Sequence, residues 1–193
     1  MEGEIALLII LILLSAFFSG SETGLVSLNR YRLRHLTRTK HAGAIRAKKL
    51  LDKPDRLIGI ILLGNNFVNI LASSIATLIG LKLYHEAGIA IATGLLTLII
   101  LIFAEVAPKT IALLHPERIA FPATLILGPL LFVFYPVVWL VNVIANGVLR
   151  MFGISFNTRS NQQLTSDELR SIVNEAGAII PRRHQFMLTN ILD

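Results

Sequence analysis

The chain has 193 residues, of which 54% are hydrophobic and 16% charged, with a formal net charge of +6. Its mean hydropathy of +0.68 excludes an ordinary soluble domain and indicates a membrane protein. Ten of the 18 lysines and arginines lie between residues 30 and 56, with apolar segments on both sides. This placement is typical of a loop beside membrane spans rather than of a nucleic-acid surface. Because there is no cysteine, we expect neither a disulfide nor a thiolate metal site.

The first apolar segment, residues 5 to 28, has the length of about 20 residues that a membrane span requires. A signal peptide is the competing interpretation, but the N-terminus is acidic and no small-residue cleavage site follows. The positive-inside rule then places the N-terminus outside and the basic segment, residues 29 to 56, in the cytoplasm. We expect this basic arm to form an interfacial helix or helical hairpin whose leucines rest on the headgroups, with a solvated charged loop as the alternative.

Two further spans are predicted, residues 57 to 81 running outward and residues 88 to 108 returning. Residues 119 to 149 carry no charge, and prolines interrupt them at seven-residue intervals. A single crossing there would put the polar C-terminal tail outside, which the positive-inside rule disfavours.

We therefore expect broken re-entrant helices over residues 119 to 136 and a juxtamembrane helix over 137 to 152. A fourth span is the alternative. The predicted fold is an all-α membrane protein with three transmembrane helices, a re-entrant helix pair and a juxtamembrane helix. The transmembrane domain would cover residues 1 to 155, and residues 156 to 193 would begin a cytoplasmic helical region, cut ahead of a further soluble domain.

Glu105 is the first functional candidate, because it places a carboxylate inside an apolar run. An ionisable group in hydrocarbon costs at least roughly 2.5 kcal/mol and usually marks an ion or substrate path. Pro108 has no N–H to give to the carbonyl of Ala104, so a backbone oxygen beside the carboxylate loses its helical partner. This combination favours cation binding. The alternative is that Glu105 only pairs with Lys109, one turn later.

The other two spans offer oxygens at helical spacing. Ser15 and Ser19 lie four residues apart in the first span, and Asn65 and Asn69 do so in the second, preceded by Gly64, which lets a backbone or an ion approach closely. Such residues also serve as ordinary contacts between membrane helices, which is the alternative. Together with a carboxylate, these neutral oxygens are the ligands of a hard cation such as Mg2+ or Ca2+, whereas Zn2+ would call for His or Cys.

Enzymatic function finds no support in the sequence. The chain has no Walker A pattern and no GxGxxG loop, and no serine stands in a nucleophile elbow. We therefore do not expect the protein to be an enzyme.

Three ordered stretches resemble the transmembrane domain of the CorB/CorC and cyclin-M (CNNM) family of magnesium transport proteins. They are SAFFSGSETGLVSLNRYRL (15 to 33), LLGNNFVNILAS (62 to 73) and FAEVAPKTIAL (103 to 113). The resemblance covers about residues 4 to 155 and implies a homodimer followed by a cytoplasmic CBS-pair module. It also implies a Mg2+ site formed by Ser15, Ser19, Asn65, Asn69 and Glu105, with Gly64 as a backbone contributor. One departure is Ala104, which stands where many relatives have Gly.

The resemblance implies a Mg2+ transporter of the inner or plasma membrane that exports the ion, with Na+ as the counter-ion. Two other hypotheses remain. One needs the same metal ligands, and the other needs no metal site. The first is a membrane module that senses Mg2+ or regulates another transporter without transporting the ion itself. The second is a membrane anchor for a soluble domain. Both rivals stay open at the level of sequence.

Overall fold

The computed structural model describes residues 2–151, apart from the side chains of Tyr84, Glu86, Asn142 and Arg150. These residues form helices and no strand, which confirms the all-α class; the tail predicted over residues 156 to 193 lies outside them. The chain divides into two units, Met1–Val148 and Leu149–Asp193, and the candidate site lies in the first. In chain order the elements are α1 (Glu2–Val26), α2 (Arg30–Arg38), α3 (Ala42–Leu51), α4 (Pro54–Ile99), a π-helix (Ile100–Val106), α5 (Ala107–Leu114), α6 (Pro116–Val133) and α7 (Tyr135–Met151).

Four helical segments in the described part are long and apolar enough to cross a membrane. The first three are those predicted, and we call them the first, second and third spans: Glu2–Val26, Pro54–Leu83 and Ala87–Leu114. The second and third meet inside α4, where His85 has a φ of 53°. A methyl group on Gly80 would lie 2.9 Å from the carbonyl carbon of Gly88. In a straight helix, residues eight positions apart are separated by about 12 Å along the axis. The chain therefore folds back between these spans.

The fourth segment corrects the expected breaks at prolines. Residues 119 to 136 lie mostly in one helix, Pro116–Val133, which continues through Pro122 and Pro129 and ends at Phe134. Each proline removes one helical hydrogen bond. In a membrane, where water cannot bond to the backbone, a continuous helix still satisfies the remaining N–H and C=O groups. The helix also buries one face, so packing supports its continuity; this face consists of Ala120, Ala123, Thr124 and Leu127. The entry and return of residues 119 to 136 on one side of the membrane stays a prediction. The juxtamembrane helix expected over residues 137 to 152 corresponds to α7, and its position at the membrane surface also stays a prediction.

The basic arm forms a helical hairpin made of α2 and α3. The Asn29 side chain accepts hydrogen bonds from the backbone N–H groups of Tyr31 and Arg32 and so caps α2. Leu33 is buried within the protein rather than exposed at the predicted headgroup position. Because Gly43 has no side chain, α3 comes close to α6, and a methyl group there would lie 2.7 Å from Cβ of Phe121.

The first span lies at the centre of the bundle. It packs against α4, the π-helix, α5 and α6. Two glycines allow part of this close packing: Gly20 faces Pro108, and Gly24 faces Ile119 and Ala120. The polar residues of the first span therefore point into the protein, where the other spans can meet them.

Candidate metal site

Oxygen atoms from two spans meet at Ser15. Its hydroxyl lies 2.9 Å from Oδ1 of Asn65 and 2.7 Å from Oδ1 of Asn69. Ser15 is buried and both asparagines are half-buried, so the cluster is largely removed from the surface. The four-residue spacing of the asparagines puts both amides on the helix face that packs against the first span. The structure thus brings together three of the residues singled out in the sequence.

The cluster has fewer hydrogen-bond donors than it has close oxygen–oxygen contacts. The Ser15 hydroxyl has one hydrogen and can donate it to only one of the two amide oxygens. The other close oxygen–oxygen contact then has no proton between its atoms, and a cation between them would satisfy it. If one amide turns over, its NH2 group can donate to the hydroxyl instead. The cluster can therefore exist in a cation-binding arrangement and in a hydrogen-bonded one.

Ser19 adds a buried hydroxyl without a partner. Its side chain is 0% exposed, and its Oγ has no hydrogen bond to any residue that the structure describes. The equally buried Ser21 donates its hydroxyl to the carbonyl of Phe17 at 2.6 Å. A buried hydroxyl left unsatisfied costs about 1–3 kcal/mol, so the environment of Ser19 favours a ligand that supplies a positive partner.

Glu105 lies in the π-helix, half-buried, directly after the fully buried Ala104. The N–H of Ala107 donates to the carbonyl of Ile102, five residues earlier, instead of to the residue four earlier. This wider turn leads into Pro108, whose missing N–H also leaves the Ala104 carbonyl without its usual helical donor. Single π-turns inside α-helices frequently occur at functional sites.

The proposed pairing of Glu105 with Lys109 does not form. Among the residues described, no ion pair or hydrogen bond joins the Glu105 carboxylate to another side chain. The first span packs against the π-helix that carries Glu105, which places this carboxylate on an element neighbouring Ser15 and Ser19. The structure gives no direct contact between Glu105 and the serine–asparagine cluster.

Gly64 provides space for an aromatic ring. A methyl group at this position would lie 2.6 Å from Cε1 of Phe18, so the ring occupies the volume next to the glycine. Phe18 is itself buried and stands edge-on to Phe17, with ring centroids 5.6 Å apart. Gly64 therefore brings the first and second spans together beside the cluster. Its role as a backbone ligand stays a prediction.

The cluster offers hydroxyl and amide oxygens, and the neighbouring π-helix offers the carboxylate of Glu105. In the described part of the chain, no three residues among His, Cys, Asp and Glu converge as a metal-binding group. These oxygen ligands bind a soft or borderline metal such as Zn2+ weakly, whereas a hard cation prefers them. A single carboxylate among neutral oxygens also holds a divalent ion with modest charge attraction, which suits release as well as binding.

Two features of the site were not predicted from the sequence. One is the π-helix, for which Pro108 three residues after Glu105 was the available signal. The other is the ring of Phe18 over Gly64, which depends on how two distant helices pack and leaves no local pattern in the sequence.

Comparison with known proteins gives a family and several close relatives. Residues 6–180 match the family model described as the cyclin M transmembrane N-terminal domain. The chain is similar to the UPF0053 inner membrane protein YfjD of Escherichia coli, with 52% identity over 93% of this chain and 42% of the relative. A UPF0053 protein of Haemophilus influenzae is 52% identical over 97% of this chain and 44% of the relative. The polyamine export protein of the same organism is 30% identical over 96% of this chain and 46% of the relative. The chain spans less than half of the length of these relatives.

Proposed function

This chain belongs to the cyclin M transmembrane family, and on that premise we propose that it carries Mg2+ across the membrane. The protein is a multi-pass membrane protein, and the inner-membrane location named for its Escherichia coli relative is proposed for it as well. Outward transport, exchange for Na+ and assembly as a homodimer are parts of the same proposal and rest on the family resemblance. The observation that carries the proposal is the convergence of the Ser15, Asn65 and Asn69 oxygens between two spans.

Mg2+ fits this chemistry better than the alternatives among metal ions. It prefers six oxygen ligands at about 2.0–2.1 Å and gives up its water reluctantly, so a partly hydrated ion needs only a few protein oxygens. Ca2+ takes six to eight oxygens at about 2.3–2.6 Å and usually several carboxylates. The proposed ligands are two hydroxyls, two amides and one carboxylate, and one water would complete the shell of six oxygens if all five bind the ion directly.

A polyamine is the second candidate cargo, because relatives of this chain are named polyamine export proteins. A polyamine carries several ammonium groups, each of which would be stabilised by a carboxylate or an aromatic face. The proposed ligand set holds one carboxylate, that of Glu105 on the π-helix. We therefore favour Mg2+ and include spermidine as a competitor in the test.

The test measures Mg2+ flux into sealed liposomes that contain only this protein, with an internal Mg2+-sensitive dye. Glu105→Gln and Asn69→Ala should each abolish flux and weaken Mg2+ binding at least tenfold, which corresponds to about 1.4 kcal/mol. Asn66→Ala is the matched control, because this amide lies beside Asn65 but is exposed and takes no part in the cluster. Asn66→Ala should leave both flux and binding unchanged.

The outcomes separate the rival functions. Saturable Mg2+ binding without flux would replace transport with a sensing or regulatory role. Binding and flux that survive in both variants would refute the proposed site. A membrane anchor predicts neither binding nor flux in the parent protein. Spermidine flux that depends on Glu105, in the absence of Mg2+ flux, would assign the site to polyamines.

A further inference from the structure

A cavity of about 620 Å3 lies between the basic arm and α6, separate from the candidate metal site. The end of α3 and the start of α4 form one side, and α6 forms the other. The arm contributes Arg46, Lys49, Lys53 and Arg56, and α6 contributes mostly apolar residues, among them Leu125 and Phe132. Neither the metal-site serines nor the asparagines contribute to it.

The arm side of the cavity is strongly basic. Four cations line it, and none forms an ion pair with a carboxylate among the residues that the structure describes. Two of them have fixed neutral partners: Nε of Arg46 donates to Oγ1 of Thr124 at 3.2 Å, and the guanidinium carbon of Arg56 lies 4.8 Å from the ring centroid of Tyr135. Four positive charges around one space repel each other, and an anion between them would relieve the repulsion.

The α6 side of the cavity is apolar and open. Leu125 is 57% exposed and Phe132 is 83% exposed, so no described part of the protein covers them. A free inorganic anion has no apolar surface to bury against these side chains. An amphiphile could bury its hydrocarbon chain against them. The cavity also lies on the side of the molecule that the positive-inside rule assigns to the cytoplasm, next to the membrane surface.

We propose that this cavity binds the headgroup of an anionic phospholipid. The phosphodiester lies among Arg46, Lys49, Lys53 and Arg56, and an acyl chain runs along the exposed residues of α6. Basic pockets between membrane helices on the cytoplasmic side recognise anionic lipid headgroups in this way. A bound lipid would bridge the arm to α6 and so strengthen the contact that Arg46 already makes with Thr124.

The test uses the whole chain purified in a neutral detergent and titrated with phosphatidylglycerol or phosphatidylcholine, with bound lipid counted by native mass spectrometry. The charge variant is Lys49→Gln with Lys53→Gln. The matched control is Lys40→Gln with Lys48→Gln, which removes the same charge from exposed lysines outside the cavity. Each basic residue near a headgroup contributes about fivefold in affinity, so the charge variant should bind phosphatidylglycerol about 25-fold more weakly. The control should change by less than twofold.

A second variant keeps every charge. The Cβ position of Gly128 has no atom within 4 Å and Gly128 lines the cavity, so Gly128→Leu has room for its Cβ and takes up part of the cavity's volume. It should lose phosphatidylglycerol binding even if the double lysine variant does not fold.

Three results would overturn the proposal. The first is equal loss of phosphatidylglycerol binding in the cavity and control variants, and the second is equal binding of phosphatidylcholine. The third is displacement of the lipid by millimolar inorganic phosphate, which would identify a free-anion site.

Discussion

Replacing Ser19 with alanine should stabilise the metal-free protein. The Ser19 hydroxyl is fully buried and has no described hydrogen-bond partner, so its removal relieves part of a desolvation cost of about 1–3 kcal/mol. We expect the free energy of unfolding of Ser19→Ala to rise by about 1 kcal/mol in a metal chelator, since the lost oxygen leaves only a small cavity.

Mg2+ should stabilise this variant less than it stabilises the parent protein. At a Mg2+ concentration 100 times the dissociation constant, binding stabilises the parent protein by about 2.7 kcal/mol. If losing the Ser19 oxygen weakens binding tenfold, the same concentration is only ten times the new constant and stabilises by about 1.4 kcal/mol. The stabilisation by Mg2+ should therefore fall to about half, although the metal-free variant is the more stable protein.

The assay is thermal unfolding in detergent, with chelator and with Mg2+, on the parent, Ser19→Ala and Ser21→Ala. Ser21 is the matched control, because it is equally buried in the same helix but donates to the carbonyl of Phe17. In Ser21→Ala the free energy of unfolding should fall by about 0.5–1.5 kcal/mol both with chelator and with Mg2+. The stabilisation that Mg2+ adds should equal that of the parent protein. The reasoning is refuted if Ser19→Ala keeps the parent's Mg2+ increment, or if both serine variants are destabilised alike without metal.

Two further predictions concern backbone and packing beside the site. Pro108→Ala restores an N–H that can donate to the Ala104 carbonyl, so thermal stability should rise while calorimetry shows weaker Mg2+ binding; unchanged affinity would show that the freed carbonyl has no part in the site. Gly64→Ala forces a methyl group against the Phe18 ring and should lower the free energy of unfolding by about 1–3 kcal/mol. Adding Phe18→Leu should recover part of this loss in a double-mutant cycle, whereas simple additivity of the two changes would contradict the contact.

The convergence of three candidate residues could be predicted because polar residues are costly in an apolar span and are expected to face the protein interior. Ser15, Asn65 and Asn69 stand out in runs of hydrocarbon side chains, and the four-residue spacing of the two asparagines puts both on one helix face. The structure brings these three into contact. The sequence does not specify how far along its axis each helix is shifted, so the distance between Glu105 and this cluster could not be predicted.

The α6 region was predicted less well because local rules and packing disagree there. Pro122 and Pro129 each remove a hydrogen bond, and a local reading therefore breaks the helix. Thr124 and Leu127, between them, are buried, and burial of that face supports a continuous helix. The arm shows the reverse case, since a helical hairpin was expected there and its first helix begins at a local signal, the side-chain cap of Asn29.

The glycine contacts of the first span bear on how the protein could change its conformation. Gly20 and Gly24 have no side chains to interlock with Pro108 and Ile119, so a small shear of the first span along the third span and α6 requires little repacking of rotamers. Sliding of packed helices by small amounts is a recognised route between two conformations. Such a slide would move Ser15 and Ser19 relative to Glu105 by fractions of a helical turn. Under the proposed transport function, such a slide would let access to the ion alternate between the two sides while the second span keeps its asparagines in place.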